Sequence, residues 1–83
     1  MALIPHSQWR LVRMRKALES ALSEQDWDKV RQFDVSLMQA LNEASEDPER
    51  DAKTLLMELN AVVHLYKDLV LSSELHRSVN HLH

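Results

Sequence analysis

The 83-residue sequence predicts an all-α fold, an antiparallel three-helix bundle with a long third helix that self-associates, built as a single helical domain over residues 1–83. Three observations predict it. Glycine is absent, no N-G or D-G pair occurs, and the tight hairpin turns of β-proteins rely on such residues at positive φ. Apolar residues recur with a helical period in three segments, and no strand-like alternation of useful length is present. The two prolines, Pro5 and Pro48, stand where helices would begin, their missing N–H being harmless there.

Helix one is expected from about Ser7 to Glu24, with Ser7 as its cap and Leu11, Met14, Leu18, Ala21 and Leu22 on one face. A turn over 23–26 follows, with Asp26 positioned to accept from the free N–H groups opening helix two. Helix two runs from Trp27 to about Ala44, turning Trp27, Val30, Phe33, Leu37, Leu41 and Ala44 inward. The hairpin core predicted from this pattern sets Leu11, Met14, Leu18 and Leu22 against Val30, Phe33, Leu37 and Leu41. Ser45-Glu46-Asp47-Pro48 is the clearest break. Asp47 suits a cap and Pro48 the first helical position, with Glu49 and Asp51 favourable near the positive end of the dipole. Helix three then runs from Pro48 to at least Leu75, and the tail SSELHRSVNHLH, fading in apolar period, is expected to fray.

Helix three carries more apolar surface than one contact needs. Ala52, Leu55, Leu56, Leu59, Val62, Val63, Tyr66, Leu69 and Val70 fill an arc of roughly 140°, against the ~100° stripe of an ordinary surface helix. Met57, Ala61, His64, Leu71 and Leu75 form a second, broken stripe. A helix apolar on two sides wants two partners, so Leu55, Leu59, Val62, Tyr66 and Leu69 are the leading partner-binding candidates.

A chain this short buries only about 60 to 65% of its unfolded surface, and with no cysteine it has no disulfide framework or thiol nucleophile. The net charge of −3 offers no basic footprint for nucleic acid. Apolar runs are too short for a membrane span, and MALIPHSQW lacks the form of a secretory leader. A cytoplasmic protein is expected. His76, His81 and His83 do not share one helical face, so neither a metal nor another cofactor is expected. Without glycine no oxyanion or phosphate loop can be drawn, and no enzyme is expected.

Two constellations stay open. Arg10, Arg13, Arg15 and Lys16 crowd one stretch of helix one, with Trp9 and Val12 in or beside the outer face. That face is either solvated, with Trp9 folded under arginines or against Leu3 and Ile4, or an aromatic anchor in which Trp9, Arg13 and Lys16 meet an acidic partner surface. Asp34 falls within the apolar face of helix two and needs a partner, Arg31 or a basic residue of helix one being the candidates.

The segment WDKVRQFDVSLMQAL from Trp27 is similar to the second helix of FliT-type flagellar export chaperones, at Trp27-Asp28, Gln32, Asp34, Val35-Ser36, Met38 and Gln39. Trp9 falls early in helix one as in that family, and the resemblance spans residues 9 to 70. It implies a small helical cytoplasmic chaperone that holds the filament-cap protein soluble before type III export, with the export ATPase and the flagellar master regulator as further partners. Such chaperones carry a fourth helix over the binding surface, and here the sequence ends at His83. The function expected is therefore a non-catalytic module binding an amphipathic partner helix, with a homodimer possible. The alternative is a dimeric regulator that sequesters a transcription factor, or a structural adaptor.

Overall fold

The computed structural model describes residues 4–81, with side chains through residue 72. They form three helices and no strand: α1 (His6–Ser23), α2 (Trp27–Glu46) and α3 (Ala52–His81). No helix among the described residues is long and apolar enough to cross a membrane.

The ends of the helices follow from local hydrogen bonding. The Pro5 carbonyl accepts from the N–H groups of Gln8 and Trp9, at 3.0 and 3.3 Å, to start α1. No side chain caps it, so the expected Ser7 cap is corrected. Ser7 lies inside the first turn, and its hydroxyl instead donates to Asp47 at 2.5 Å.

At the other end the N–H of Gln25 bonds Leu22 O and that of Asp26 bonds Ala21 O, both at 3.0 Å. This is a Schellman closure, with Gln25 at φ 56° in the position glycine usually fills,. A side chain there costs about 1–2 kcal/mol. Asp26 caps α2 as expected, accepting from the Lys29 N–H at 3.3 Å.

The start of α3 differs from the sequence expectation. Asp47 ends α2 and organises a turn, accepting from the Glu49 N–H at 2.8 Å, and Pro48 lies in the connection. The cap is Asp51, whose carboxylate accepts from the Thr54 N–H at 3.2 Å. Gln8 explains the choice. Only 3% exposed, its side-chain carbonyl accepts from the Asp51 N–H at 2.7 Å and its amide donates to the Asp51 carbonyl at 3.4 Å. A buried amide must be satisfied, and this clamp ties the first turn of α1 to the residue that opens α3. The ties to Ser7 and to the Glu49 N–H also hold the Asp47 carboxyl below its usual range. The α3 backbone stays helical through His81, past Leu75 and along the tail expected to fray, whose last two residues lie outside the described ones.

The core joins Leu11, Leu18 and Ala21 of α1 to Val30, Leu37, Ala40 and Ala44 of α2 and to Leu55, Val62 and Leu65 of α3. Of the predicted hairpin core, Leu11, Leu18, Val30 and Leu37 are buried, while Met14, Leu22, Phe33 and Leu41 pack half-buried at its margin. Ala40 and Leu65 enter unforeseen.

Side-chain ties show the order of contact along the helices. Ser7 reaches Asp47 and Arg10 reaches Glu43 on α2, whereas Gln8 reaches Asp51 and Arg15 reaches Glu58 on α3. α1 packs most closely on α2, less closely on α3, and the α2–α3 pair is the loosest of the three. With 30 residues, α3 is about 45 Å long, in a molecule of 55 × 19 × 18 Å.

Candidate protein-docking groove

The face that α3 turns inward is set by polar ties as much as by apolar ones. Gln8 and Arg15 are seven residues apart on α1, as are Asp51 and Glu58 on α3, so each pair makes its contact in the same register. Arg15 binds Glu58 with both sides of the pair largely covered, at 15% and 14% side-chain exposure, and binds Glu19 as well. The hydrogen bond to Glu58 raises the Arg15 pKa, keeping the guanidinium charged.

These ties draw the line Asp51, Glu58, Leu65 toward α1, and Leu65 is buried while Val63 is 51% exposed. The apolar arc of α3 is thereby split down its length. Leu55 and Val62 are buried in the core, with Leu59, Tyr66 and Leu69 half-buried beside them. Leu56, Met57, Val63, Val70 and Leu71 face outward.

This corrects the sequence expectation for two candidates. Leu55 and Val62 are buried within the chain and offer little surface to a partner, although Val62 contributes to the floor of the groove described next. Leu59, Tyr66 and Leu69 lie at its border. The exposed surplus exists, but one position further around the helix than Leu55 and Val62 indicated.

Where α2 and α3 separate, an open groove of about 620 Å³ is lined by Met38 of α2 and by Val62, Val63, Tyr66, Lys67, Val70 and Leu71 of α3. Val35, one turn before Met38 in α2, is also exposed. Tyr66 bridges the two helices here, its hydroxyl donating to the Asp34 carboxylate. That bond answers the question posed by Asp34, and not with a basic residue. Arg31 instead pairs with Asp28 at 2.8 Å. Burial, and then the Asp34 carboxylate, push the Tyr66 phenol well above its ordinary range, so the bridge is neutral on the tyrosine side.

The groove lining is aliphatic and thioether carbon with one aromatic ring, Tyr66, and a single cation, Lys67. Such a lining can make contact with an apolar surface and offers little for polar or catalytic chemistry. Among the described residues no group of three or more His, Cys, Asp or Glu side chains could hold a metal ion; the side chains of His76, His81 and His83 lie outside those residues.

The other candidates, Trp9, Arg13 and Lys16, lie together on the outer face of α1, all exposed. They share no residue with the groove. Ile4 is half-buried, and Leu3, the other side chain against which Trp9 was expected to fold, lies outside the described residues. Sequence reasoning missed Met38 and Lys67, which line the groove where the Asp34–Tyr66 bridge sets α2 beside α3. No known family model, curated protein or solved structure matches this chain.

Proposed function

We propose that the chain is a non-catalytic, cytoplasmic protein-binding module that receives an amphipathic helix of a partner protein in the groove between α2 and α3. The observation that carries this reading is the outward seam of α3. Ala52, Leu56, Leu59, Val63, Tyr66 and Val70 are spaced four, three, four, three and four residues apart, the seam of a coiled coil,. Leu56, Val63 and Val70 on that seam are exposed, and Met38 and Leu71 widen it. An amphipathic helix lays apolar side chains at matching spacing into such a groove.

The bundle is read as up-down-up, antiparallel between consecutive helices, which the Arg10–Glu43 and Arg15–Glu58 ties support. Flanking charge favours a partner over a second copy. Lys53, Asn60 and Lys67 sit beside the seam, one heptad apart. In a pair of copies running in opposite senses, Lys53 would meet Lys67, and like charges at flanking positions oppose pairing. A partner with acidic residues beside its apolar stripe is favoured instead.

The similarity of the segment from Trp27 to FliT-type export chaperones names the client class. In this reading the partner is the flagellar filament-cap protein, held soluble before export. Calorimetric titration with purified filament-cap protein tests it, on the parent and on Val63→Glu and Val70→Glu. Both positions are exposed, so the variants should keep their helical content and lose affinity at least tenfold. A parent that does not bind removes the export-chaperone reading. Variants that bind like the parent remove the groove.

A further inference from the structure

A second surface lies on α1, away from the groove. Trp9 is 51% exposed, and its indole has no hydrogen-bond or ring partner among the described residues. Trp27, by contrast, packs half-buried against the core at the start of α2. On the α1 wheel Trp9, Lys16 and Arg13 fall within roughly 60° of one another at 100° per residue, on the side opposite Leu11 and Leu18. Both cations are exposed, and neither has an ion-pair partner among the described residues, although Arg10 and Arg15 nearby are each paired with glutamate.

A half-exposed tryptophan beside two unpaired cations is an unusual expenditure of surface on a chain of net charge −3. Glu43 and Glu58 neutralise the neighbouring Arg10 and Arg15, and Arg13 and Lys16 have no such partner among the described residues. Tryptophan and arginine are the residue types that dominate binding hot spots. Arg13 stands about 6 Å and Lys16 about 10 Å along the helix axis from Trp9. Carboxylates spaced three residues apart on a second helix match the step between the two cations, with an apolar residue one turn further lying over the indole.

We infer that the outer face of α1 is a second docking surface, fitted to an acidic helical segment of a partner protein through Trp9, Arg13 and Lys16. Two cations are too few for the multiple phosphate contacts on which nucleic-acid binding rests, so a carboxylate-bearing protein segment is the fitting occupant. This inference rests on α1 alone and stands whether or not the groove reading holds.

The test uses the full chain and a labelled, alanine-based helical peptide carrying one leucine with glutamates four and seven residues to either side, so that either orientation presents the same pattern. Fluorescence anisotropy should show binding that weakens as salt rises. Trp9→Ala should weaken it about tenfold, as should Arg13→Glu/Lys16→Glu, and the double variant should instead gain affinity for the same peptide with lysines in place of glutamates. Val63→Glu, in the groove, should bind the acidic peptide like the parent. Equal binding of acidic and basic peptides by the parent would overturn the inference, as would loss of binding in Val63→Glu but not in Trp9→Ala. So would a parent that ignores the peptide, including one that sediments with phosphatidylserine vesicles instead.

Discussion

The α1–α2 contact and the α2–α3 contact share one helix, yet one is closed and the other open. On the α1 side, α2 presents Ala40 and Ala44, fully buried, next to Glu43 and Asp47, which reach α1. Small side chains bring helix axes toward the short end of their range, and Ala21 does the same from α1. On the α3 side, α2 presents Asp34 and Met38, and the contact at that level is a polar bridge to Tyr66. No alanine lines the groove on either helix. The difference teaches that closure here is decided by side-chain size at the contact, and that apolar residues beyond the close contact stay exposed.

The largest effect should come from the closed side. Leu37 is 0% exposed, and Leu37→Ala should cost about 2–5 kcal/mol by chemical denaturation. The matching truncation across the groove, Val63→Ala, should stay within about 0.5 kcal/mol because its site is half in water. Equal costs would erase the distinction between the two contacts.

Ala40→Leu sharpens the same point by adding volume instead of removing it. In a close helix contact the added carbons should cost about 1–3 kcal/mol, whereas Val63→Leu should be near neutral. A tolerated leucine at 40 would mean that alanine does not set the α1–α2 spacing.

The bridge that holds the open side is smaller and has a pH signature. Tyr66→Phe should cost about 0.5–1.5 kcal/mol and loosen the groove. Tyr66 is the single tyrosine in the sequence, so tyrosinate absorbance reports it alone. Its folded pKa is raised, so its contribution is fully present below the unfolded value of about 10 and is lost as pH rises through the higher folded value. Ionisation of the folded protein at the ordinary phenol pH would show that the bridge does not form.

The connection opposite the tethered end of the bundle offers the smallest change. Gln25→Gly relieves a left-handed residue in the Schellman turn and should stabilise by about 0.5–1 kcal/mol in thermal or chemical unfolding. A neutral or destabilising glycine would mean that the Gln25 side chain contributes more than its backbone costs.

The three helices are legible in the sequence because period and punctuation agree: the 3.6-residue pattern of Leu11 to Leu22 and Val30 to Leu41 is bounded by Asp26 acting through a local cap. The start of α3 is not legible in the same way. Asp47 and Asp51 are both suitable caps, and the choice between them rests on Gln8, forty-three residues away from Asp51. The same limit governs the candidate surface. A helical wheel shows that α3 has apolar surplus, but its rotation depends on Glu58, a charged residue on the inward face that turns Leu65, one heptad on, inward with it. The equal seven-residue steps from Gln8 to Arg15 and from Asp51 to Glu58 are the one sequence signal that points to this alignment. The Asp34–Tyr66 bridge leaves no comparable signal, since both residues read first as candidates for other partners.

The central claim, that the open α2–α3 side is a docking groove, is tested most directly by mapping backbone amide shifts on the isotope-labelled chain. The titrant is a synthetic amphipathic helix with leucines at alternating three- and four-residue spacing and glutamates beside them. The account predicts saturable shifts centred on Met38, Val63, Lys67, Val70 and Leu71, abolished in Val63→Glu, with the α1–α2 contact undisturbed. Shifts confined to the outer face of α1, or none at millimolar peptide, would contradict it.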